Sequence, residues 1–300
     1  MNTKQLYVVT GVTGRTGSAA AKALMEMNQR VRVVVRDASK GVEWAALGAE
    51  VAVADLNDTQ ALTEAFSCAD GAYIVSPPQY WSKALYEKAE SMAQSIANAA
   101  LEANLPKLVV LSSVGADKSD KTGWIAMNRM LEQSLKDSAS AVAFLRAAYF
   151  MENWAPLVKI AHEQRQLPSF LTPLDRKLPM IATADIGRIA ATTLCQNWEG
   201  IRILDLEGPA RYSPTDVADH LAGNHSKSIP KEPVNAVSIP ESAWEEALGD
   251  SGFSSQAISG FIEMTKGLNS GHIAFHDESK IERCSGSIEL AEVIDKLTVS

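Results

Sequence analysis

Residues 8–20 read Val8-Val9-Thr10-Gly11-Val12-Thr13-Gly14-Arg15-Thr16-Gly17-Ser18-Ala19-Ala20. An apolar run gives way to three evenly spaced glycines and then to Ala-rich sequence, a pattern that predicts strand, tight turn and helix. At such a junction glycine lets the backbone take positive φ and come close to a ligand. The first helical N–H groups and the helix dipole then face an anion. A pyrophosphate suits that site. The spacing is G-x-x-G-x-x-G, a partial match to the G-x-G-x-x-G dinucleotide fingerprint. A plain tight turn is the competing reading. The dinucleotide reading prevails through context, with an apolar strand before the glycines, a helix after them and further strand–helix alternation behind.

Working outward, Arg30 to Asp37 reads as a second buried strand ending in charge, which completes a right-handed βαβ unit. At the end of that strand an acid accepts the ribose hydroxyls of NAD, whereas an arginine pairs with the 2′-phosphate of NADP. Arg36 and Asp37 both stand there. Arg36 comes first and Arg15 lies inside the glycine turn, so two guanidiniums can converge on a phosphate. This favours NADP(H), with NAD(H) the alternative and Asp37 as a helix cap. Val51 to Leu56 is a third strand that sets Asp55 at its carboxyl end, as an adenine contact or a cap. Gly71 to Pro78 is a fourth, stopped by its two prolines, so that Ser76 and Pro77 turn over the cofactor. Lys107 to Ser113 is a fifth, bringing Ser112 to the same edge, and Ala141 to Arg146 a sixth.

The cofactor residues expected are therefore Gly11, Thr13, Gly14, Arg15, Thr16, Gly17, Arg36, Asp55, Leu56, Ser76, Pro77 and Ser112. Unbroken βα alternation predicts an α/β doubly wound parallel sheet of Rossmann type, with helices on both faces. Beyond Trp154, prolines at 156, 168, 173 and 179 break the pattern. This sets a dinucleotide-binding domain at 1–155 and a smaller, mostly helical C-terminal lobe at 156–300, with a strand near 201–206 returning to the first domain.

The chain has 300 residues, 46% of them hydrophobic, and a formal net charge of -8. That acidity argues against a surface built to follow nucleic-acid phosphates or anionic lipid. No apolar run nears the roughly 20 residues of a membrane span, and no signal core precedes the first strand, so a cytoplasmic location is expected. Cys68, Cys195 and Cys284 are scattered and odd in number, which suits neither a disulfide framework nor a zinc knuckle. His272 and His276 have i, i+4 spacing without further ligands, so no metal site is expected.

The Gly11/Gly14/Gly17 turn with Arg15, Arg36-Asp37, Asp55-Leu56, Leu111-Ser112-Ser113, Leu145-Arg146 with Tyr149 to Asn153, and Ala182 to Gly187 together resemble the NmrA-like family of atypical short-chain dehydrogenase/reductases. The resemblance covers nearly the whole chain. It implies a Rossmann domain that binds NAD(P) and a smaller lobe closing a cleft over the nicotinamide. Members include NAD(P)H-dependent quinone and azo-dye reductases, and also regulators that bind the dinucleotide as redox sensors.

One departure stands out. Alcohol-oxidising relatives use Y-x-x-x-K after the fifth strand, where the lysine lowers the phenol's pKa. Here the matching positions are Trp124 and Asn128, with Arg129 alongside, and no tyrosine occurs between Leu111 and Phe144. Two functions stay open. One is NADPH-dependent reduction of a quinone- or azo-type small molecule, in a pocket walled by Tyr80, Trp81, Tyr149, Phe150 and Asn153, with Pro77 and Trp154 nearby. Such acceptors need little acid catalysis, since a reduced quinone leaves a stabilised anion that water protonates. The other is a non-catalytic NADP(H) redox sensor acting through a regulatory protein partner. A homodimer is compatible with either.

Overall fold

The computed structural model describes residues 4–223, 233–276 and 281–299. Its first half alternates strictly: β1 (Leu6–Val9), α1 (Arg15–Glu26), β2 (Arg30–Val35), α2 (Val42–Ala46), β3 (Glu50–Val53), α3 (Thr59–Phe66), β4 (Gly71–Ile74), α4 (Leu85–Glu102), β5 (Lys107–Ser113), α5 (Ala126–Leu135) and β6 (Ala141–Ala147). Shorter pieces follow: β7 (Tyr149–Phe150), α6 (Val158–Gln164), β8 (Gln166–Ser169), β9 (Leu178–Ile181), α7 (Thr183–Leu194), β10 (Gly200–Glu207), β11 (Arg211–Tyr212), α8 (Pro214–Gly223), β12 (Asn235–Ser238), α9 (Trp244–Ala247), α10 (Ser255–Ser270), β13 (Ile281–Ser285) and α11 (Leu290–Val299).

Eight strands form one parallel sheet in the order β13-β10-β6-β5-β4-β1-β2-β3. The order reverses between β1 and β4, and open α/β sheets bind ligands in the crevice at such a reversal, beyond the carboxyl strand ends. The returning strand expected near 201–206 is β10; β13, which the sequence pattern left unassigned, extends the sheet beyond it. Short sheets β11-β9-β7 and β12-β8 join helices in the C-terminal half.

Period-2 alternation explains why the central strands read as continuous apolar runs. Val109, Ala143 and Leu145 pack with Ala20, Leu24, Ile186 and Ala190 on the α1/α7 face, while Leu108, Val110, Val142 and Phe144 pack with Ile96, Leu131 and Leu135 on the opposite face. A third cluster, including Met151, Trp154, Met180, Leu221 and Ile294, forms a separate core drawn mostly from the second half of the chain.

The Ala182–Gly187 segment turns out to be structural. A Cβ on Gly187 would lie 2.4 Å from Ala19 Cβ and 2.6 Å from Ala20 N, so α7 meets the nucleotide-side helix α1 at backbone distance. Both Glu152 carboxylate oxygens accept the Thr183 N–H at 3.0 Å and cap α7. Buried Asp185 accepts N–H groups from Ser287 at 3.0 Å and Ile288 at 2.9 Å, and pairs with Arg188. Among the described residues no helix is long and apolar enough to cross a membrane.

Candidate functional site

The site begins where β1 runs out. Buried Thr10 joins β1 to β4, its Oγ1 accepting from Val75 N at 2.8 Å while its N–H donates to Tyr73 O at 3.0 Å. Gly11 then takes φ +66°, and a Cβ there would fall 2.8 Å from Val75 Cβ. The Gly14 N–H returns to Gly11 O at 2.9 Å. Gly14 is the N-cap of α1 and no side chain caps the helix, whose first turn also lacks an acid. At Gly17 a Cβ would stand 2.3 Å from Gly11 O and 2.7 Å from Thr10 O, so only glycine lets the helix start press against the turn. Thr13, Gly14 and Arg15 are exposed while Thr16 is buried. Uncapped N–H groups and a backbone that any Cβ would obstruct are the features a dinucleotide pyrophosphate requires.

Neighbouring strand ends complete the rim. Asp37 Oδ1 accepts from Ser39 N at 2.8 Å and caps the 3₁₀ turn Ala38–Gly41. That bond holds its carboxyl below the usual range. Arg36 is exposed and, among the described residues, makes no ion pair. Asp55 Oδ1 accepts from both the backbone N and the side-chain Nδ2 of Asn57 at 2.8 Å, an Asx turn rather than a helix cap; Asp58 caps α3 instead. The Asn57 bonds, with the charge of Arg36, lower the Asp55 carboxyl against a modest burial cost. Leu56 is buried in the core, leaving only its backbone at the rim. Ser76 donates to Met92 Sδ at 3.2 Å, and Pro77 is exposed above it.

Ser112, at the carboxyl end of β5, turns its hydroxyl into the protein. Its hydroxyl is buried and donates to Glu132 Oε1 at 2.6 Å. The same carboxylate receives Arg146 Nε at 3.0 Å and Nη2 at 2.7 Å. A guanidinium under the sheet edge needs a carboxylate, α5 supplies it, and Ser112 satisfies the remaining lone pair.

In strand register, Arg146 lies between Ser112 and Asp205. Burial pushes the 4%-exposed Asp205 up to about 6; Arg146 and Arg283 pull it back, while Asp117 and Glu207 add to the rise. A raised folded-state pKa means that stability is fully present below the ordinary value near 3.8 and is lost as pH rises through about 6. Asp205→Asn should therefore stabilise the protein at pH 7 by about 1 kcal/mol, a gain that vanishes near pH 4. Melting temperatures across that window check it; a pH-independent difference would assign the effect to packing.

Trp124 sits in the 3₁₀ turn Gly123–Ile125 ahead of α5. Its ring stacks on Tyr80 at 3.9 Å between centroids and 26° between planes, and meets Phe253 and Phe261 edge-on at 5.4 and 5.2 Å. Its Nε1 donates to Ala257 O at 2.8 Å. Gly123 has φ +52°, with the site of a Cβ 1.9 Å from Gly260 O, and a Cβ on Gly260 would lie 2.8 Å from Trp124 Cδ1. Helix α10 thus rests directly on the position where alcohol dehydrogenases of this type carry tyrosine. Sequence reasoning missed Phe253, Phe261 and Gly260. The available signal was a helix-interior glycine, which costs about 1 kcal/mol against alanine and marks a close approach.

Trp81 is 64% exposed, unlike its neighbour Tyr80. Tyr149 and Phe150 form β7 beside Met180 and Ile181. Burial pushes the Tyr149 phenol up to about 12, with the Asn153 amide partly opposing, so at neutral pH it is a hydrogen-bond donor and no base. Tyr149 and Trp154 rings lie 6.0 Å apart, and Asn153 is exposed. His272 and His276 lie past the end of α10, so their i, i+4 spacing is not helical.

A parallel sheet with a glycine turn at its switch point defines a Rossmann-like α/β protein, here with tryptophan and asparagine at positions 124 and 128. The chain belongs to the NmrA-like family, whose model matches residues 3–291. It is 26% identical over 250 residues to an NAD(P)H azoreductase of Xenophilus azovorans, covering 79% of this chain and 83% of that one. The fold is similar to that of an NADPH-dependent quinone oxidoreductase of Escherichia coli complexed with NADPH, with TM-score 0.79, 22% identity, and 98% and 99% of the two chains covered. It also resembles triphenylmethane reductase of Citrobacter sp., with TM-score 0.80, 17% identity, and 99% and 100% covered.

Proposed function

We propose that this protein is an NADPH-dependent reductase of quinone- or azo-type small molecules that works without a Tyr/Lys pair. The observations that support the reading are a glycine turn leading into an uncapped helix start, which suits a pyrophosphate, and tryptophan and asparagine at positions 124 and 128 in place of an acid–base couple. The names of the azoreductase and quinone oxidoreductase relatives support it.

When bound, the dinucleotide supplies the hydride. The turn Gly11–Gly17 and the start of α1 hold its pyrophosphate. Arg36, exposed at the end of β2, pairs with the 2′-phosphate, and Arg15 adds charge nearby. Asp55 keeps one carboxylate oxygen for the adenine amino group. Tyr149 and Asn153 orient the acceptor by donating hydrogen bonds, and the aromatic wall of Tyr80 and Trp124 excludes water. Protonation of the reduced acceptor falls to solvent.

NADPH should be consumed when purified protein meets a panel of quinones and azo dyes, followed by nicotinamide absorbance, and should not be consumed with simple ketones. A protein whose melting temperature rises with NADPH but which reduces nothing in the panel would overturn the reductase reading. Unequal stabilisation by NADPH and NADP, with a change of mass, would then favour the redox sensor.

A further inference from the structure

The acceptor site proposed above draws on two separate elements. One is Trp124 with Asn128, on the turn and first part of α5; the other is Tyr149, just beyond β6. Glu132 lies one helical turn after Asn128, on the same face of α5, and its carboxylate reaches Arg146, three residues before Tyr149. We propose that Glu132 is a positioning residue for this site, fixing the spacing between the α5 wall and the Tyr149 hydroxyl; this rests on the reductase reading above.

Three observations carry it. The Glu132–Arg146 contact is two-pronged, and both side chains are about one-tenth exposed (11% and 9%), so the planar guanidinium fork defines distance and angle together. Ser112 binds the same carboxylate, which ties in the end of β5. Strand register sets Ser112 directly beside Arg146 on the adjacent strands β5 and β6, so α5 is keyed to both at once. A buried ion pair adds little net stability over an apolar replacement, whereas it does define geometry. Catalysis by hydride transfer is sensitive to that geometry, a displacement of about 1 Å costing on the order of 100-fold.

Length and charge can be separated. Glu132→Asp keeps the charge but shortens the reach; Glu132→Gln keeps the reach but loses the charge. A positioning role predicts that Glu132→Asp lowers kcat for a quinone about 10- to 100-fold, with Glu132→Gln retaining more activity than Glu132→Asp. NADPH affinity should stay within about twofold in both, at a temperature where circular dichroism shows the parent fold. Should neither variant fold, Ser112→Ala, which leaves the ion pair in place, should lower kcat by about threefold without changing NADPH affinity. The reverse order of the two Glu132 variants overturns the proposal, as does a lowered melting temperature with unchanged kcat, or an unchanged kcat in Ser112→Ala. An unsubstituted protein that binds NADPH yet reduces no quinone overturns the reductase reading instead.

Discussion

Gly17→Ala should abolish dinucleotide binding while the sheet stays folded. The added Cβ would lie 2.3 Å from Gly11 O, 2.5 Å from Gly11 C and 2.7 Å from Thr10 O, all backbone atoms with no rotamer to yield. Either α1 withdraws or the turn shifts, and both separate the helix N–H groups from the anion they would bind. Overpacking of this kind costs about 1–3 kcal/mol in stability, so the protein survives with a lower melting temperature. The affinity for NADPH should fall by more than about 100-fold, because the pyrophosphate contacts are lost together. Gly249→Ala is the control, since a Cβ there meets nothing within 4 Å. Calorimetric titration with NADPH checks it. Unchanged affinity in the Gly17→Ala protein would mean that the dinucleotide sits elsewhere.

The second large effect is selective. Arg36→Ala should weaken NADPH by about 10- to 100-fold, the value of one or two charge-assisted hydrogen bonds of about 1.5–3 kcal/mol, and leave NADH within about twofold. The structure sharpens this expectation, because Asp37, the competing ribose contact, is tied to Ser39. The discrimination should shrink as salt is raised, since Arg36 is exposed. Equal losses for both cofactors would mean that the arginine does not read a 2′-phosphate.

These two residues also mark what could be read without coordinates. The glycine turn was legible because its meaning is local: strand, φ requirement and helix start lie within ten residues. Asp37 could be weighed as ligand or cap, and the structure shows it capping through Oδ1. The direction of the Ser112 hydroxyl was not legible, for the opposite reason. A hydroxyl at a strand end faces either of two sides, and which one depends on Glu132, twenty residues on, and on a guanidinium that had to be neutralised. The vacancy left by tyrosine and lysine was visible in the chain, but not what fills it. Trp124 is held by the Ala257 carbonyl, 133 residues away, and by the aromatic rings of α10 and the β4 loop.

By itself the sequence determined the βα alternation, the anion cradle and the absence of a Tyr/Lys pair. These depend on φ preferences, periodicity and residue identity, which act over a few residues. Only the tertiary structure decided that Gly187 brings α7 against α1, that Ser112 and Arg146 converge on Glu132, and that α10 covers Trp124. Those outcomes follow from backbone approach and charge neutralisation between distant segments, interactions whose partners exist only once the chain has packed.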